Sequence, residues 1–91
     1  MKFMVTWSLR ETVDNAAAQA GILEAYKTWT APASITAQYA KVDGTGGLIL
    51  LDTDDIGDLL AITTPFALFL EYEVSPITEV DVVVKAVEAT L

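Results

Sequence analysis

The densest group of side chains able to do chemistry in this chain is Asp52-Thr53-Asp54-Asp55 with Asp58. Several carboxylate oxygens brought together are what a hard divalent cation requires. The spacing fails as an EF-hand loop, because Ile56 falls on a ligand position and Thr63 stands where a bidentate Glu is needed. The same residues suit the start of a helix, where Asp54, Asp55 and Asp58 can accept from free N–H groups and complement the dipole. Helix capping is therefore the expected role, and no metal site is assigned. A second candidate, Asp43-Gly44-Thr45-Gly46-Gly47, has the glycines of a phosphate loop but no lysine, and it precedes a strand instead of a helix. It reads as a hairpin turn.

The third candidate is aromatic. Trp7, Tyr26, Trp29, Tyr39 and Tyr72, with Phe66 and Phe69, could line a pocket between helices and sheet, the Tyr hydroxyls orienting a small apolar ligand. The competing role is plain core packing. A Tyr or an Asp could act as general acid or base, but the sequence identifies no partner for either. Arg10, the one arginine, could bind a carboxylate or simply sit solvated at a strand end.

Composition removes several function classes. There is no cysteine, hence no disulfide, thiolate nucleophile or Cys-ligated metal. There is no histidine, the usual general base near neutrality. A net charge of −8 argues against nucleic acid, whose phosphates are met by Lys and Arg, and against anionic membrane surfaces. No apolar run approaches the ~20 residues that span a bilayer. The start Met1-Lys2-Phe3 lacks the long apolar segment of a secretory signal, so a cytoplasmic location is expected. No cofactor is called for. Ninety-one residues make one domain, 1–91, yet hydrophobic residues are 53% of it. A domain this small lacks the interior for so much apolar material, so part of it should face a partner or a ligand.

The elements that must position these groups follow from periodicity. Lys2 to Leu9 alternates, with Phe3, Val5, Trp7 and Leu9 on one face and Met4, Thr6 and Ser8 on the other. A helix is expected from Glu11 to about Thr30, with Thr12 and Asp14 in its first turn. It carries two stripes: Val13, Ala16, Ala17, Ala20 and Leu23, whose alanines imply close packing on the sheet, and Ile22, Tyr26 and Trp29, with Gly21 between them; either the helix kinks there or the second stripe faces a partner. Ala31-Pro32-Ala33-Ser34 ends it. Ile35 to Val42 reads as an edge strand with Ile35, Ala37, Tyr39 and Lys41 on one face. After the hairpin, Leu48 to Asp52 reads as a strand buried on both faces. A helix to about Thr63 or Thr64 comes next, then a strand from Phe69 to Val74 ended by Pro76. A terminal helix of roughly Glu79 to Thr90, capped by Thr78, carries Val80, Val83, Val84 and Val87 on one side.

The order β-α-β-β-α-β-α is a ferredoxin-like α+β plan. It has a four-stranded antiparallel sheet with strands one and three central, two helices on one face, and an added C-terminal helix. One sheet face is left uncovered. Met4 and Thr6 of the first strand and Leu48 and Leu50 of the third fall on it, and each large apolar side chain left in water forgoes about 1.5–3 kcal/mol. A homodimer packed sheet to sheet buries them in both copies, as in a dimeric α+β barrel. The alternative is that the terminal helix folds over this face within one chain.

Three stretches also carry a family resemblance: Met1-Lys2-Phe3-Met4-Val5-Thr6-Trp7-Ser8, Leu50-Leu51-Asp52-Thr53-Asp54-Asp55 and Glu73-Val74-Ser75-Pro76-Ile77. They resemble a group of short bacterial proteins classed as a domain of unknown function, with a similar opening strand, acidic junction and closing strand. The chain departs from that group in having Phe66 near where the group carries Trp, a longer connection around Pro65, and no His after the second strand. More distantly, the architecture resembles the dimeric α+β barrel proteins, which include small monooxygenases, isomerases and haem-degrading enzymes. That resemblance implies the fold and a dimer. The catalytic residues of those enzymes have no counterpart here, and the lack of histidine counts against a haem ligand.

The expected function is that of a homodimeric small-ligand or protein-interaction module, with enzymatic activity left undecided. Two other readings stay open: a cofactor-free monooxygenase- or isomerase-like enzyme acting on an apolar substrate, and a structural subunit of a larger assembly.

Overall fold

The computed structural model describes residues 1–91. Seven elements follow in the expected order: β1 (Lys2–Leu9), α1 (Ala16–Thr28), β2 (Ile35–Ala40), β3 (Gly46–Asp52), α2 (Ile56–Thr63), β4 (Leu70–Ile77) and α3 (Val80–Glu88). The four antiparallel strands form one sheet in the order β2-β3-β1-β4, with β1 and β3 at its centre. This is the ferredoxin-like α+β arrangement with an added terminal helix.

Register decides which face each side chain takes. Val5 lies opposite Ile49 on β3 and Val74 on β4, and Phe3 lies opposite Leu51. This face is covered, and Val5, Leu51 and Ile62 of α2 are its most deeply buried side chains. Successive residues alternate faces, so Met4 and Thr6 point the other way, opposite Leu50 and Leu48. The four residues expected on the open face are thus two adjacent cross-strand pairs. They are half-buried within one chain, not buried on both sides as the apolar run of β3 suggested.

Several boundaries differ from the sequence reading, each for a local reason. Helix α1 starts at Ala16, not Glu11, because Asn15 is its N-cap and its side chain accepts from the Ala18 N–H. Thr12 and Asp14 therefore precede the helix, and Val13, though buried, is not part of its stripe. The half-buried residues of α1 are Ala18, Gly21, Ile22 and Ala25, with Trp29 at the C-cap, so Ile22 and Trp29 of the second stripe face inward while Tyr26 stays exposed at the rim. Ala16, Ala17, Ala20 and Leu23 are exposed. Gly21 does not interrupt the helix; it makes room for the Phe69 ring, which lies 3.0 Å from where a Cβ would stand.

Strand β2 ends at Ala40, and a bulge between Ile35 and Ala37 splits the face assigned to it. Ile35 joins the core opposite Leu51, whereas Ala37 and Tyr39 take the open face opposite Leu50 and Leu48. Strand β3 begins at Gly46, earlier than Leu48. Strand β4 runs from Leu70 through Pro76 to Ile77; it is an edge strand paired only with β1, where proline is tolerated. Glu79, not Thr78, is the N-cap of α3, with no side-chain cap bond.

Helix α3 buries none of its residues. A Lys2–Glu79 ion pair ties its start to β1, and beyond that point it leads away from the sheet. The molecule measures 55 × 25 × 18 Å, with a radius of gyration of 15.8 Å. A compact chain of this length has one near ~12 Å. The terminal helix does not fold over the open sheet face of its own chain.

Candidate functional site

The covered layer is unevenly filled. Helix α2 is docked through Ile62, while α1 has no fully buried residue and stands over a cleft of ≈ 520 Å³. Trp7 and Tyr72, neighbours across β1 and β4, form its floor together with Ile49. Ile22, Tyr26 and Trp29 come from the α1 side. Five of the seven aromatic residues expected around a pocket, Trp7, Tyr26, Trp29, Phe66 and Tyr72, therefore meet here.

Tyr39 does not join them. Its pairing with Leu48 places it on the opposite sheet face, where it lines a second groove with Thr6, Lys41 and Glu73. Met4, Thr6, Leu48 and Leu50 share that open face. Phe66 is buried beside Trp29, the two rings meeting edge to face at 5.3 Å. Phe69 is taken up by its contact with Gly21.

The polar ends of two cleft aromatics are already engaged. A helix leaves its last carbonyls without intrahelical partners. At the end of α2, the Trp29 indole Nε1–H donates to the Ala61 carbonyl at 2.9 Å, and the Tyr72 hydroxyl donates to the Ile62 carbonyl at 3.2 Å. Burial pushes the Tyr72 phenol up to about 12, so it stays protonated near neutrality. The two rings are fixed at both ends and turn only apolar surface into the cleft. Tyr72 has no carboxylate partner that would make it an acid–base group.

Polar cleft residues come from places the aromatic pattern does not mark: Gln19 on α1, Gln38 on β2 and Asp43 in the β2–β3 hairpin. Strand alternation alone could have found Gln38, since it must oppose the face of Tyr39. Asp43 carries no such signal, because its sequence context is that of a turn. Its Oδ1 accepts from the Thr45 N–H at 3.0 Å and from the Thr45 hydroxyl at 2.7 Å. These bonds to the charged form hold its carboxyl below the usual range. Gly44 next to it has a positive φ of 76°, which the turn requires.

The acidic run after β3 spreads over separate partners. Asp55 is the N-cap of α2 and accepts from the Gly57 N–H at 2.8 Å. Asp58 turns back to accept from the Thr53 and Ser34 hydroxyls at 2.7 and 2.8 Å, which lowers its pKa. Asp52 and Asp54 each accept from the N-terminal ammonium at 3.1 Å. Arg10 is held as well, its Nε donating to the Ala67 carbonyl at 3.0 Å with Glu71 at 3.7 Å. These residues fix the ends of strands and helices and lie outside the cleft.

No helix is long and apolar enough to cross a membrane. No curated protein matches the chain. The opening strand, the acidic junction at Asp52–Asp55 and the closing strand through Pro76 all lie within a match that covers residues 1–91, and the chain belongs to the family described as Domain of unknown function (DUF3303).

Proposed function

We propose that the protein is a cytoplasmic homodimer, paired through its open sheet face as a dimeric α+β barrel, that binds a small apolar ligand in the cleft beneath α1. The observation that carries the reading is that cleft. Its ≈ 520 Å³ falls within the ~300–1,000 Å³ typical of small-molecule sites, and it is walled by apolar and aromatic side chains. The rings of Trp29 and Tyr72 are held in place without ligand by their bonds to α2, so little ordering opposes binding. Engagement of the Tyr72 hydroxyl with a backbone carbonyl favours binding over acid–base catalysis. The apolar pair Met4–Leu50, with Leu48 beside it opposite Thr6, supports the dimer.

The test is a titration with N-phenyl-1-naphthylamine, an uncharged probe that fluoresces on leaving water. Saturable micromolar binding to the wild type is expected, with loss of binding in Ile22→Trp, whose larger side chain fills the cleft. Absence of saturable binding, or equal binding by the folded variant, would overturn the cleft reading.

A further inference from the structure

Resting on the cleft reading, we infer that the ligand is cationic, an apolar, ring-sized body carrying one positively charged end that lodges at Asp43. The wall of the cleft is apolar apart from Gln19, Gln38 and Asp43, and Asp43 is the one charged residue that lines it. No lysine or arginine faces the space. Lys41 has its aliphatic stem against Gly46 on the face that Ser8 shares and lines the open-face groove; its charge reaches Asp43 and helps keep that carboxyl ionised, but its residue does not line the cleft.

A carboxylate or phosphate ligand would enter without a counter-charge, next to an ionised Asp, in a protein of net charge −8. A cation meets the reverse. Both Thr45 bonds go to Oδ1 of Asp43, so neither occupies Oδ2. Tyr26, Trp29 and Trp7 add aromatic faces that attract a cation passing over them. The hydrogen bonds from Thr45 also hold the Asp43 side chain in one orientation, so its position does not depend on the ligand.

A matched series separates this inference from the one beneath it: 1-naphthylmethylamine, 1-naphthalenemethanol and 1-naphthoate, each titrated by calorimetry at low salt. The three share a ring and differ in charge. The amine is expected to bind about five- to tenfold more tightly than the alcohol, the combined size of an ion pair and a cation–π contact, and the naphthoate more weakly than either. In Asp43→Asn, which keeps the oxygen that accepts from Thr45, the amine should lose the ion-pair share of its advantage, falling about twofold or more toward the alcohol, while the alcohol is unchanged. Added salt should weaken the amine alone. Equal affinity of amine and alcohol, or an amine preference undiminished by Asp43→Asn, would overturn the charge assignment and leave the cleft standing. Binding of none of the three would overturn both.

Discussion

A methyl group placed on Gly47 would stand 2.3 Å from the Tyr39 carbonyl oxygen and 2.7 Å from the Trp7 indole. The first is backbone of the neighbouring strand and the second is the floor of the cleft, so neither can yield cheaply. Gly47 lies directly opposite Trp7 in the β1–β3 ladder, and its missing side chain is what lets the indole lie across the sheet. Gly47→Ala should therefore destabilise by about 1–3 kcal/mol, the cost of overpacking a filled site. Urea unfolding followed by Trp fluorescence measures it, and N-phenyl-1-naphthylamine binding to the folded fraction should weaken with it. An unchanged midpoint would mean that the indole has other room. In the sequence this residue reads only as the last glycine of a turn, because close approach between strands leaves no mark in composition.

Among the elements, the two helices over the sheet differ in how they are held. Helix α2 buries Ile62 and has its last carbonyls bonded by Trp29 and Tyr72, whereas α1 rests on half-buried residues above a cleft. Local stability follows buried apolar contact and protected hydrogen bonds. Amides of β1, β3 and α2 should accordingly exchange slowest, those of α1 faster, and those of α3 fastest of all. Trp29→Phe keeps a ring against Phe66 but removes the bond to Ala61, which should cost about 1 kcal/mol and speed exchange in the last turn of α2. Slow exchange throughout α1 would contradict a helix that stands off its sheet. This contrast was only half legible in advance. The faces of β1, and of Leu48 and Leu50 on β3, follow from alternation, which holds wherever a strand carries no bulge. The inward face of α1 does not, because it turns on whether Asn15 or an earlier residue caps the helix, a choice made by competing side-chain bonds a few residues apart. The bulge at Thr36 that sends Ile35 and Tyr39 to opposite faces is likewise set by pairing with β3. For that reason Tyr39 could not be sorted from the aromatics of the cleft by sequence alone.

For the whole molecule, two apolar surfaces are left without cover by one chain. One is the open sheet face with Met4, Leu48 and Leu50. The other is the valine side of α3, where exposure runs from 45% at Val84 to 74% at Val80. A nine-residue helix rich in β-branched residues is not stable in water by itself, so its persistence depends on docking. With α3 carried beyond the sheet, the proposed two-fold pairing would have to give each of these surfaces a partner in the second copy. Light scattering behind size-exclusion chromatography should therefore return twice the 9.8 kDa chain mass at micromolar concentration. Leu48→Lys puts a charge at the middle of the open face without touching the Val5–Leu51–Ile62 core, and in a two-fold dimer the change occurs on both sides of the interface. It should give a monomer that keeps its sheet by circular dichroism but loses helical signal as α3 frays. The cleft lies on the far side of the sheet, so naphthylamine binding should survive in that monomer. A wild type that runs as a monomer, or a Leu48→Lys variant that remains dimeric, would place the partner somewhere other than the open sheet face.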